Sequence, residues 1–111
     1  MTHSEAFIYG DKQPIEDIGN GMKRQLMGYN DQIMMAKIWF DDNAIGYVHA
    51  HPHSQVTYIE SGEFEVQVGE EKQLLKAGDC FFMLPHADHG AVCKKAGILI
   101  DVFSPLREDF L

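Results

Sequence analysis

Basic residues are scarce in this chain. Nine Lys and Arg stand against seventeen Asp and Glu, for a formal net charge of −8. Nucleic acids and anionic membrane surfaces require a basic footprint, so neither is an expected partner. A small anionic substrate stays open, because one well-placed Arg dominates a small pocket. Long apolar runs are missing: nothing approaches the ~20 residues of a membrane span. The N-terminus, "MTHSEAFIYGDKQ", has no basic region followed by an apolar stretch, so no secretory signal is expected and the expected compartment is the cytoplasm. Cys80 and Cys93 are the only cysteines, and reduced thiols are the expectation rather than a disulfide. Low-complexity segments and Pro/Gly/Ser-rich linkers are also absent. So are the long 3.6-residue apolar stripes that mark helices. With 111 residues, the chain is expected to form one domain around one modest core.

Short apolar runs alternate instead with turn signals. Residues 33–40, "IMMAKIWF", predict a strand, and "DDNAIG" after it a loop. In "EFEVQV", Phe64, Val66 and Val68 face one side and Glu63, Glu65 and Gln67 the other. "SGE" before this strand and "GEE" after it predict hairpin turns. "KQLLKAGD" predicts a short strand, and "CFFML" a strand buried on both faces. "HGAVC" and "GILIDVF" predict the last two strands. Helix is expected in no more than a turn or two near the N-terminus. The pattern is all-β, a small closed or double-sheet barrel.

Three of the six histidines, His49, His51 and His53, fall in "HAHPH". If they lie on one strand, residues two apart point the same way, with Cα atoms roughly 6.5–7 Å apart. His49 and His51 can then converge on one ion. Gln55 has the same parity, and its oxygen is a further donor. "PHADH" supplies His86 and His89 from elsewhere in the chain. Neutral imidazole suits zinc, nickel, copper and iron, and an oxygen ligand adds manganese. His53 shares the parity, and spacing alone does not say which of the three ligate; Pro52 interrupts the ladder and could aim His53 elsewhere.

The stretch resembles the first cupin motif: His49, His51, Gln55 and Gly62 stand at its characteristic spacings. "GDCFFMLPHADH" resembles the second, with Gly78 opening a turn and His89 as the last ligand. The chain departs from the pattern at Asn43 and His86, where glycine is common. It departs also at Leu84 before Pro85, at Cys93 for a common Asn, and at Gln55 for the commoner Glu. Gln55 leaves a divalent ion its full charge, which favours Lewis-acid chemistry over iron and dioxygen. With the ending "LIDVFSPLREDFL", the chain is similar to the KdgF-type pectin-degradation cupins over roughly residues 15–111.

That resemblance implies a single-domain cupin barrel over about 15–103, with an N-terminal arm (1–14) and a tail (104–111). It implies one divalent metal (Zn, Ni, Mn, Fe or Co) held by His49, His51, Gln55 and His89. It implies a site completed by Asp101, Phe103 and Arg107. The implied activity is conversion of 4,5-unsaturated monouronates from pectin or alginate breakdown into linear 4-deoxy-5-keto-uronates. A homodimer is expected, with a small anionic sugar as the other partner. The alternatives are a metal-dependent cupin dioxygenase or isomerase with another substrate, and a non-catalytic sugar-binding or sensor cupin.

The residues themselves support two of these site assignments. In "GILIDVF", Asp101 shares a face with Leu99 and Phe103, and an ionised carboxylate there costs several kcal/mol unless paired. Arg107 offers a planar fork for a substrate carboxylate. Met34, Met35, Trp39, Phe40, Phe81 and Phe82 are expected in the barrel core or a dimer interface.

Overall fold

The computed structural model describes residues 2–111. It contains eight strands: β1 (Glu16–Gly19), β2 (Met22–Asn30), β3 (Ile33–Phe40), β4 (Ile45–His49), β5 (Ser54–Val68), β6 (Glu71–Lys76), β7 (Cys80–Met83) and β8 (His89–Ser104). A 3-10 turn, Glu108–Phe110, follows. All strand pairs are antiparallel. No helix among the described residues is long and apolar enough to cross a membrane.

β5 and β8 pair along their whole length within one eight-stranded sheet, and each has different outer neighbours at its two ends. The C-terminal part of β8 pairs with β3, and the N-terminal part of β5 with β7. Beyond the middle, β8 pairs with β4 and β5 with β6. The bend needed to close the barrel falls where the β5–β8 register slips, between Ile59 and Phe64. Two glycines face each other there. Gly62 has φ +86, and a Cβ on it would sit 2.5 Å from the Lys95 carbonyl oxygen. A Cβ on Gly97 would collide with the Ser61 carbonyl. Only glycine lets the backbones cross this closely.

This corrects two expectations. "SGE" is not a hairpin but the bend inside β5, and "HGAVC" and "GILIDVF" are two parts of one strand, β8. Each had the composition of a turn because a sharp bend and a turn need the same backbone freedom. The "GEE" turn is present, as a two-residue connection from Val68 to Glu71.

β1, β2 and β4 are additional to the expected strands; helix was expected to be no more than a turn or two near the N-terminus, and residues 2–15 hold turns and one isolated bridge. Asn20 and Gly21 have φ 56° and 77° and join β1 to β2. This Asn-Gly pair is the strongest short hairpin signal a sequence carries. "CFFML" is not buried on both faces: Phe81 and Met83 point inward, whereas Phe82 and Leu84 are 54% and 66% exposed. β7 is an edge strand that pairs only with β5.

Directly opposed residues share a face, so the register sorts the barrel into rows. Met34, Phe103, Gln55 and Met83 form one inward row. Ala36, Asp101, Thr57 and Phe81 form the next, and Ile38, Leu99 and Ile59 a third. Met34, Ala36, Ile38, Phe40, Ile59, Phe64, Val66, Leu99 and Phe103 are buried in the core. The outward row Met35, Val102, Val56 and Phe82 is apolar but open to solvent at Met35, Val56 and Phe82. Cys80 is exposed and Cys93 buried, both as free thiols.

Candidate metal centre and active site

The histidines converge, though not by sharing a strand. His49 ends β4, while His51 and His53 lie in the connection to β5. Pro52 cannot donate to a ladder, and the chain leaves the sheet there. His89 opens β8 directly opposite His49. Ring nitrogens of His49, His51 and His89 all lie within 4.8 Å of one another.

Two of these rings are oriented by the backbone. His49 Nδ1 donates to the Tyr47 carbonyl at 2.9 Å, and His89 Nδ1 to that of Ala87 at 3.0 Å. Nε2 of each is thereby directed away from the backbone as an unprotonated donor for a cation. His51 Nε2 lies 2.9 Å from Gln55 Oε1. Two donors at right angles on one ion, each about 2.1 Å away, are about 3.0 Å apart, so the pair stands as two ligands would. The other His51 nitrogen, Nδ1, is buried without a partner among the described residues. Burial, reinforced by the charge of Arg107, pulls the His51 pKa down to about 4. Burial also lowers that of His89. Both rings therefore stay neutral, the form a metal requires. Three imidazoles and an amide oxygen fit a divalent cation.

His53 and His86 are outside the converging set, although the His53 ring packs edge-on against His51 with centroids 5.1 Å apart. His53 Nε2 meets the Leu106 carbonyl at 3.0 Å and ties the tail to the loop. His86 has φ 67° and donates its backbone N–H to the His51 carbonyl at 2.8 Å. Asn43 has φ 66°. Both replace a common glycine in the motifs, and both occupy the left-handed conformation that explains the glycine.

A cavity of about 430 Å³ opens beside the cluster, lined by His49, Gln55, His89, Asp101, Phe103 and Arg107 among others. That volume suits a small ligand. Asp101 is half-buried, and desolvation pushes its carboxyl pKa up to about 6 against the opposing pull of a Thr57 hydrogen bond and the Arg107 charge. Thr57 Oγ1 donates to Asp101 Oδ1 at 2.6 Å. Gln55 Nε2 donates to Thr57 Oγ1 at 2.9 Å and to Asp101 Oδ1 at 3.3 Å. These bonds fix which end of the Gln55 amide faces His51, and they couple the carboxylate to the metal cluster.

Phe103 is 2% exposed and stands edge-on to His51 with centroids 5.8 Å apart. It is both core and cavity wall. Arg107 reaches the same cavity from the tail. Its Nε and Nη2 donate to the two oxygens of Asp109 at 3.0 and 2.8 Å. Its guanidinium lies over Phe110 at 4.4 Å and Phe103 at 5.2 Å. The sequence expectations for the site did not include Arg24 and Phe110, which line the cavity, or Thr57, which holds Gln55 and Asp101 from behind it. Thr57 was legible by its parity with Gln55. Arg24 was not, because β2 had not been assigned.

Comparison with known proteins agrees with this architecture. Residues 40–103 match the cupin domain family. The chain is 40% identical over 107 residues to the pectin degradation protein KdgF of Dickeya dadantii (strain 3937), covering 95% of this chain and 97% of that one. A crystal structure of an RmlC-like cupin from Shewanella frigidimarina NCIMB 400 is 58% identical, with a TM-score of 0.98 and full coverage of both chains. The structure of KdgF from Halomonas sp. is 34% identical, with a TM-score of 0.92, over 97% of this chain and 100% of that one. With the barrel, the histidine cluster and these likenesses in agreement, the chain belongs to the cupin superfamily and, within it, to the KdgF-like pectin-degradation cupins.

Proposed function

We propose that the protein is a ketonising isomerase that opens 4,5-unsaturated monouronates to linear 4-deoxy-5-keto-uronates, with one divalent metal held by His49, His51, Gln55 and His89. The observation that carries this reading is a half-buried carboxylate, Asp101, hydrogen-bonded to Gln55 beside the three-histidine cluster in a cavity that also holds an arginine. The names of the KdgF relatives point to the same pathway.

The reaction moves one proton and breaks one ring bond. The anomeric hydroxyl loses its proton and becomes the aldehyde as the bond from carbon 1 to the ring oxygen breaks. The ring oxygen becomes the carbon-5 carbonyl, and carbon 4 gains a proton. Nothing is oxidised or reduced. A bound divalent cation supplies Lewis-acid stabilisation of negative charge on oxygen. Asp101 is the proton carrier: a pKa raised to about 6 lets it both accept and return a proton near neutral pH. Thr57 holds the Asp101 carboxyl in place. Arg107 grips the substrate carboxylate, and Phe103 and Phe110 exclude water along the ring. The reading carries two partners: the anionic sugar, and a second copy of the chain across the apolar outward row that includes Val56 and Phe82.

The test is incubation of the metal-loaded protein with monouronate freshly released by a lyase. Loss of the enol-ether ultraviolet absorbance, far faster than without protein, is expected. Unchanged absorbance with stoichiometric metal present refutes the reading.

A further inference from the structure

Arg24 occupies an unusual place. On β2 it lies opposite Ile38, which continues through Leu99 to Ile59 in the inward row. Those three are buried at 6%, 4% and 0% exposure. An arginine at the end of such a row has its charge turned toward the barrel interior, and Arg24 does line the cavity. Its side chain is only 16% exposed. Its guanidinium carbon lies 3.8 Å from the Phe110 ring centroid, while that of Arg107 lies 4.4 Å from the same centroid. Both cations therefore sit against one aromatic ring at one end of the cavity.

Each arginine is held in the same way. Arg24 gives Nε and Nη2 to Glu16 Oε1 at 3.0 and 2.8 Å. Arg107 gives the same two nitrogens to Asp109. The acids lie on the outside, 53% and 60% exposed at their side chains. Each fork is thus already engaged, and Nη1 of each arginine has no protein hydrogen bond among the described residues. Neither arginine alone can offer a carboxylate its Nε/Nη2 edge without giving up its anchor. Two half-buried guanidiniums on one ring also repel each other, and an anion between them relieves that repulsion. We propose that Arg24 is a second substrate-binding cation, sharing the carboxylate of an acidic monosaccharide with Arg107 through their free terminal nitrogens, and that Phe110 sets the spacing between them.

The inference rests on the uronate reading above for its substrate class, but its test does not require turnover. Binding of D-galacturonate and of neutral D-galactose to the metal-loaded protein is measured by calorimetry for wild type, Arg24→Met, Arg24→Lys and Arg107→Met. Methionine keeps much of the apolar stem against Phe110. The expectation is that wild type prefers the acid and that Arg24→Met reduces this preference by about ten- to a hundredfold, with little effect on galactose and on melting temperature. Arg24→Lys retains the charge but not the planar fork, and an intermediate preference is expected; it also serves if the methionine variant fails to fold. An acid preference in Arg24→Met or Arg24→Lys equal to that of wild type overturns the proposal, as does a wild type with no preference. Turnover of the unsaturated uronate, assayed in parallel, separates the two readings. A higher KM with kcat within a few-fold is expected for Arg24→Met. Wild-type turnover with a normal Arg24→Met sinks the inference and leaves the function standing. Arg24-dependent acid binding without any turnover does the reverse.

Discussion

Replacing Asp101 by asparagine should make the protein more stable and nearly inactive. Burial raises the carboxyl pKa from 3.8 to about 6, about two units at 1.36 kcal/mol each, or about 3 kcal/mol. Between those two pH values the folded chain holds a proton that the unfolded chain has released. Ionisation therefore costs the fold: stability from this group is complete below pH 3.8 and is lost as pH rises through about 6. Asparagine never ionises, and its oxygen can still accept the Thr57 hydroxyl. In chelator-treated protein, where no cation offsets the carboxylate, wild type and Asp101→Asn should melt together near pH 3.5. At pH 7 the variant should lead by about 3 kcal/mol, which is about 10 °C for a chain of this size. Urea denaturation at the two pH values gives the same comparison. Turnover should fall by about 10²–10⁴-fold at every pH, the usual worth of a general acid-base group. A stability difference that does not change with pH, or a wild type more stable at pH 7, would show a hydrated or fully paired carboxylate and remove the basis for a tuned proton carrier. Activity within a few-fold of wild type would remove the catalytic role.

Further outcomes follow from the same geometry. Elemental analysis should find about one divalent ion per chain in wild type and His53→Ala, and far less in His51→Ala and His89→Ala; the opposite pattern refutes the ligand set. Gly97→Ala should cost about 3 kcal/mol or more, because its Cβ meets the Ser61 backbone rather than a side chain that can move; a denaturation midpoint like that of wild type would mean that the strand crossing is not tight. Phe82→Glu, on the outward apolar row, should shift sedimentation from dimer to monomer without loss of fold, and a wild type that sediments as a monomer excludes this interface. Arg107→Lys should stay clearly impaired on an unsaturated uronate, and wild type should favour the acid over its methyl ester; equal use of both excludes carboxylate recognition.

Much of the site was visible before folding because it is written in short-range patterns. His49, His51 and Gln55 announce themselves by crowding, and Asp101 by being an acid in an otherwise apolar strand. Asn43 and His86 looked like defects of the motif until their positive φ values showed that they do the backbone work of glycine. Other features were hidden for identifiable reasons. "SGE" is spelled like a turn but runs through as a bend, since the β5–β8 pairing that continues past it involves residues more than twenty positions away. "CFFML" has the composition of a buried strand, but its register on β5 sets Phe81 and Met83 opposite the buried Thr57 and Gln55 and leaves Phe82 in line with the exposed Val56.

Composition and periodicity were enough for an all-β domain, reduced thiols and a histidine-amide donor set, because each rests on local preference: β-branched and aromatic alternation, scarce cysteine, imidazoles close in sequence. Which histidines converge was decided only by tertiary structure. His89 reaches His49 because β4 and β8 pair in one register, and His53 leaves because the tail carbonyl of Leu106 takes it. Arg24 had no local mark at all. Its place in the cavity comes from the β2–β3–β8 register, which sets it in line with Ile38 and Leu99. Side-chain direction along a strand is local and alternates by two, whereas the face that alternation delivers to the interior is set by the neighbouring strands.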